Sequence, residues 1–163
     1  MSGFYRNSMS DWRIRLASDA DLPFVRSLTP RLSGVPRPAW HNLTDMVAFQ
    51  DRFMKATLQP EAIGAATYIA INASNDSIGY IHIQPGRDGV TDEPCGYVSL
   101  LAVTEEFEGS GVATSLMKKA EEWTKEQGYR LLSLDVFATN ARAVKFYEGF
   151  GFGAETIRLV KTL

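Results

Sequence analysis

Cysteine is almost absent from this 163-residue chain. Cys95 stands alone, so no internal disulfide can form, which suits a reducing, cytoplasmic setting. Its neighbours are Pro94 and Gly96, and a lone cysteine of this kind is expected to pack rather than react. Histidine is nearly as scarce. His41 and His82 belong to no His/Cys/Asp group with ligand spacing, so no metal is expected. Excess charge is missing too: a net charge of −2 gives no bulk attraction for nucleic acid. No apolar run approaches the ~20 residues of a membrane span. Met1–Ser10 lacks the apolar core of a signal peptide and is expected to form a loose arm before a single domain over 11–163. No glycine precedes a lysine, which excludes a Walker A phosphate loop.

What is present is an ordinary globular composition, 45% hydrophobic and 22% charged, on a chain long enough to bury a core. Alternation in Trp12–Leu16 predicts a strand. Ser18 or Asp19 can cap a helix reaching about Leu32, with Pro23 in its first turn. Gly34, Pro36 and Pro38 mark a loop to Trp40, and apolar spacing predicts a second helix over Leu43–Leu58, ended by Pro60. Thr67–Asn72 and Ile78–Gln84 read as a hairpin about the polar turn 73–77. A polar, acidic loop over Pro85–Pro94 leads to a strand, Tyr97–Val103. A helix closed by Gly128, a strand over Leu131–Phe137, a short helix over Ala141–Glu148 and strand-like sequence over Phe152–Leu163 complete the order. The class is mixed α/β.

The stretch Tyr97–Thr114 carries the first functional signal. A strand feeds Glu108-Gly109-Ser110-Gly111-Val112-Ala113-Thr114, which opens a helix. The first amides of a helix lack intrahelical partners and sit at the positive end of its dipole, so they attract anions. Gly109 and Gly111 have no side chain to hold a phosphate away. A dinucleotide fingerprint would need glycine where Thr114 stands. By itself the loop is equally a tight turn into a helix.

A second stretch, Asn140-Ala141-Arg142-Ala143-Val144-Lys145-Phe146-Tyr147-Glu148-Gly149-Phe150-Gly151-Phe152, lies one helix and one strand downstream. Together the two stretches resemble the GNAT superfamily of N-acetyltransferases. Gly111 and Ala113 match its Gln/Arg-x-x-Gly-x-Gly/Ala loop. Asn140, Ala143, Phe146, Tyr147, Gly151 and Phe152 match its Asn-x-x-Ala-x-x-Phe-Tyr and Gly-Phe pattern. The resemblance covers about residues 97–153. It implies a mixed, mostly antiparallel sheet splayed between its fourth and fifth strands. Acetyl-coenzyme A would lie in the gap, with its pyrophosphate on residues 108–113 and Thr114 as a further donor.

The resemblance also implies site residues. The main chain of Leu101, Ala102 and Val103 would hold the pantetheine arm, and Asn140 would bond it or cap its own helix. Ala143 would admit the cofactor closely, and Tyr147 would protonate the leaving thiolate. The acceptor would be a small-molecule primary amine, or alternatively a protein N-terminus or lysine; a non-catalytic acyl-coenzyme A-binding module is the rival from another class. A homodimer is a family-level expectation. Glu108 departs from the family's Gln or Arg; its side chain is expected to face solvent and to weaken cofactor binding by repulsion. No carboxylate lies in 97–103, so candidate bases are Glu93 before the strand, Glu105 after it and His82 on the preceding strand, with a water chain as the alternative. Asp135 reads as structural. Asp45, Asp51 and the loop Asp88–Glu93 offer an acidic rim, and Trp40, His41 and Tyr80 are candidate pocket residues.

Overall fold

A computed structural model describes residues 11–59 and 63–163. The expected arm at 1–10 and the helix stop at Pro60 lie outside the described residues. Five strands form one sheet in the order β1 (Trp12–Leu16), β2 (Ala66–Asn72), β3 (Ser77–Arg87), β4 (Pro94–Val103) and β5 (Leu132–Leu134). Neighbours are antiparallel except β4 and β5, which run parallel across the crossover helix α4 (Val112–Glu126).

Two apolar clusters sandwich this sheet. On one face Ala70, Ile81, Ile83 and Val98 meet Val112, Leu116, Met117, Ala120 and Trp123 of α4. On the other, Ile69, Ile71, Tyr80, Leu100 and Ala102 meet helices α1 (Leu22–Ser27), α2 (Thr29–Ser33) and α3 (Leu43–Thr57) through Val25, Leu28 and Met54. Strand side chains alternate between faces, so β2, β3 and β4 are apolar on both, as central strands must be.

Several sequence boundaries move. The first predicted helix is broken into a 3-10 turn at Asp19–Asp21, then α1 and α2. Pro30 has no amide to offer the carbonyl of Arg26, and the Thr29 hydroxyl takes that carbonyl instead, at 2.7 Å. The loop predicted over Pro85–Pro94 shrinks to Asp88–Glu93, because Gly86 pairs with Cys95 and Arg87 with Pro94. β5 is three residues long rather than seven: its ladder with β4 ends at Val98–Leu134, and Asp135–Phe137 pair with no strand among the described residues. Residues 153–163 form no strand; Ile157 and Leu159 are exposed, and strand-forming side chains need a partner edge that this segment does not have among the described residues.

Candidate functional site at the split between β4 and β5

The sheet opens where β4 and β5 part. Their ladder covers Gly96–Leu132, Tyr97–Ser133 and Val98–Leu134 and then stops. From Ser99 to Val103, β4 keeps β3 on one side and has no strand on the other among the described residues. The β3–β4 register also slips between His82 and Ile83: Val98 faces Ile83 and Leu100 faces His82, leaving Ser99 as an extra residue. Such a bulge re-aims backbone groups next to a gap. Leu101, Ala102 and Val103 therefore present an unpaired edge, the kind to which an extended ligand adds as a strand.

At the end of β4, Thr104 enters a 3-10 turn at Glu105–Phe107, and the glycine loop leads into α4. Gly111 occupies the N-cap position at φ +101° and Gly109 has φ +75°, both in the left-handed region where glycine is favoured. No side chain caps α4. The first helical bond outward is Ser115 N–H to Gly111 C=O at 3.1 Å, so the amides of Val112, Ala113 and Thr114 are left for a ligand. Val112 is wholly buried and anchors the loop in the core. Beneath it the Trp12 indole N–H donates to the Ser115 hydroxyl at 3.0 Å. The donor set is a rigid row of amides at a helix N-terminus, and it fits a phosphate group.

Helix α5 (Ala141–Gly149) follows β5. The Asn140 side chain caps it, accepting from the Ala143 amide at 3.3 Å, which leaves the Asn140 NH2 group as a spare donor. The Tyr147 ring is fixed edge-on by Phe146 at 5.2 Å and Phe152 at 5.8 Å. Phe152 is brought there by a turn through Gly151 at φ +103° and by the hydrogen bond that its N–H donates to the Tyr147 carbonyl at 3.0 Å. Burial raises the pKa of the Tyr147 phenol, so it stays protonated. Its hydroxyl has no hydrogen-bond partner among the described residues.

The base candidates occupy different surroundings, Glu105 opening the 3-10 turn after β4. Glu93 sits before β4, paired with Arg130. His82 is 4% exposed; Nδ1 meets the Thr67 hydroxyl at 2.7 Å, and Nε2 is buried without a partner. Burial pushes its pKa down to about 4. His82 is thus closed off from solvent, while Glu93 is partly exposed and engaged by Arg130. Asp135, by contrast, is exposed just past the β4–β5 ladder and accepts from the Tyr97 hydroxyl at 2.8 Å. Burial, and then this bond, raise the Tyr97 pKa, keeping the phenol a donor.

The acidic rim is largely spent on internal contacts. Asp51 pairs with Lys55, Asp92 with Arg87, and Asp88 accepts the amides of Val90 and Thr91 in its own loop. Tyr80 is fully buried and cannot line a pocket. Trp40 and His41 remain exposed, and the His41 ring lies 6.4 Å from Phe137, just beyond Asp135. The Thr139 hydroxyl donates to the Pro36 carbonyl, joining that loop to the one after β5.

Glu108 is not turned freely to solvent. One carboxylate oxygen accepts from Arg31 of α2 at 2.5 Å and the other from Arg142 of α5. Arg31 had no local signal, lying 77 positions away. Arg142 stands inside the second motif, where its charge two residues after the cap was the available hint.

Comparison with known proteins bears on this arrangement. N-alpha-acetyltransferase 30 of Schizosaccharomyces pombe is 35% identical over 57 residues, 35% of this chain and 38% of that protein. Aminoglycoside N(6')-acetyltransferase type 1 of Stenotrophomonas maltophilia is 28% identical over 98 residues, 58% of this chain and 63% of that protein. The matched regions thus span less than two thirds of either relative. Two solved structures share the fold. Aminoglycoside N-acetyltransferase AAC(6')-Iy, in complex with the bisubstrate analogue CoA-S-monomethyl-acetylneamine, superposes with TM-score 0.66 at 22% identity, covering 94% of this chain and 99% of that one. Ribosomal-protein-alanine N-acetyltransferase from Brucella melitensis biovar Abortus 2308 does so with TM-score 0.66 at 19% identity, covering 94% and 100%. The acetyltransferase (GNAT) family matches residues 36–152, a span that includes the open edge of β4, the glycine loop and the Asn140–Phe152 motif, and the chain belongs to that family.

Proposed function

We propose that this protein transfers an acetyl group from acetyl-coenzyme A directly to a primary amine of a small molecule. The observation that carries the reading is the uncapped N-terminus of α4, opened by Gly111, beside the unpaired edge of β4. The loop amides from Gly109 to Thr114, with the Ser110 and Thr114 hydroxyls nearby, would hold the pyrophosphate. The edge of Leu101, Ala102 and Val103 would hold the pantetheine arm, with the Asn140 NH2 as a further donor and the small Ala143 leaving room. When bound, acetyl-coenzyme A supplies an acetyl thioester.

Tyr147 is the proton donor to the departing sulfur in this reading, because its phenol is protonated and its hydroxyl is uncommitted. Asp135 is the carboxylate that receives the acceptor's ammonium and takes its proton. It is exposed, without a cationic partner among the described residues, and two residues before Phe137, whose ring faces the exposed His41. The small-molecule acceptor is supported by the aminoglycoside acetyltransferases among the relatives and structural neighbours.

The test is free-thiol release from acetyl-coenzyme A with an aminoglycoside, a polyamine and a peptide N-terminus as acceptors. The wild type is expected to turn over one of the small amines. Tyr147→Phe should lower kcat by ~10²-fold or more with cofactor affinity unchanged. Asp135→Asn should lower kcat/KM for the amine. Preference for the peptide would move the acceptor class to protein N-termini. A Tyr147→Phe enzyme as fast as wild type would remove Tyr147 from the mechanism. Binding without turnover of any amine would favour a non-catalytic module.

A further inference from the structure

Glu108 opens the glycine loop, yet both its oxygens are engaged by guanidinium groups from elements far apart in sequence. Arg31 reaches from α2 and Arg142 from the first turn of α5, so two cations converge on the residue that opens the glycine loop. Without Glu108 their charge would stand unscreened at the start of that loop. Neither arginine is locked by burial: side-chain exposure is 34% for Arg31 and 72% for Arg142. Both can exchange partners by rotamer changes alone. Guanidinium groups bind phosphate oxygens in the same forked geometry that they use for carboxylates.

We propose that Arg31 and Arg142 are phosphate-binding residues of the cofactor site, held in place by Glu108 as an internal anion that the bound phosphates displace. The proposal rests on the acetyl-coenzyme A reading above. Glu108 then acts as a competitor that sets affinity, rather than as a bystander facing solvent. The exchange replaces two carboxylate contacts by two phosphate contacts. Part of the binding free energy is therefore used to break the existing pairs. The device joins α2, the glycine loop and α5 through one carboxylate, and the two arginines turn to the phosphates once the ligand has taken Glu108's place.

The experiment is calorimetric titration of acetyl-coenzyme A into wild type, Glu108→Gln, Arg31→Gln, Arg142→Gln and the triple variant, at low and high sodium chloride. Glu108→Gln should bind about 3- to 10-fold more tightly at low salt, with a steeper loss of affinity as salt rises. Each single arginine variant should bind more weakly than wild type, and the triple variant should lose the gain seen in Glu108→Gln. Equal or weaker binding by Glu108→Gln, in a variant with unchanged circular dichroism, overturns the clamp while leaving the acetyltransferase reading intact. So does a gain that persists in the triple variant. Absence of binding by both wild type and Glu108→Gln overturns the clamp and the acetyl-coenzyme A reading together.

Discussion

Burial decides what His82 can do. On a solvated strand its imidazole would titrate near 6.5; behind α1–α3, with Nε2 unpartnered, its pKa falls to about 4. Between these values the unfolded chain takes up a proton that the folded chain refuses, so stability drops as pH falls from 6.5 towards 4 and is flat above that window. The full loss from this group amounts to about 3 kcal/mol. Urea melts at pH 7.5 and 4.5 should show the drop in wild type and a much smaller one in His82→Leu. A pH-independent wild-type midpoint would mean that the ring is hydrated in solution. Asp21 does not confuse the measurement. The Arg15 guanidinium holds its carboxylate well below the usual range, so its stabilisation, present above about pH 4, is lost only at lower pH.

Among the elements, α4 has the most to position, since its first turn is the cradle. Its far end is set against β4 at Gly96, where a Cβ would lie 2.5 Å from the Thr124 hydroxyl and 3.0 Å from Leu132. Thr124 cannot yield easily, being buried and bonded to the Ala120 carbonyl at 2.7 Å. Gly96→Ala is therefore expected to cost ~1–3 kcal/mol of stability by overpacking. Adding Thr124→Ala should restore much of it, which thermal melts of the single and double variants would read. An unchanged melting temperature in Gly96→Ala would show that α4 can move away from the sheet without penalty. The α5 motif is held in a comparable way. Asn140 caps its start, and Phe146, Phe150 and Phe152 enclose its end, so the orientation of Tyr147 follows from the packing of that aromatic group.

For the whole molecule, the decisive quantity is how far a ligand of the split sheet stabilises the fold. A ligand that binds only the folded state at ~100 times its Kd adds about 2.7 kcal/mol. Acetyl-coenzyme A should accordingly raise Tm by several degrees, and adenosine diphosphate by less, because it lacks the pantetheine arm that the open β4 edge would pair. Equal shifts would confine binding to the phosphate cradle; no shift at millimolar ligand would remove the cofactor from the account.

Much of this architecture was legible locally. Alternation marked β1 and the hairpin of β2 and β3, periodicity marked α3 and α4, and the two motifs identified the family, because each depends on residues within a few positions of one another. The sequence alone determined that a glycine-opened helix and an Asn140-capped, Tyr147-bearing helix flank one strand. Its errors fall where the outcome depends on distant partners. The length of β5 was set by where its ladder with β4 ends; the break between α1 and α2 is the local exception, since Pro30 offers no amide to the Arg26 carbonyl. The tail after Phe152 has strand-forming side chains and, among the described residues, no edge that it joins. Only the tertiary structure decided that His82 is buried and Asp135 exposed, and that Glu108 lies between Arg31 and Arg142. Exposure and charge pairing belong to three-dimensional neighbourhoods, and residues 34 and 77 positions apart meet only once the sheet has closed on one side and opened on the other.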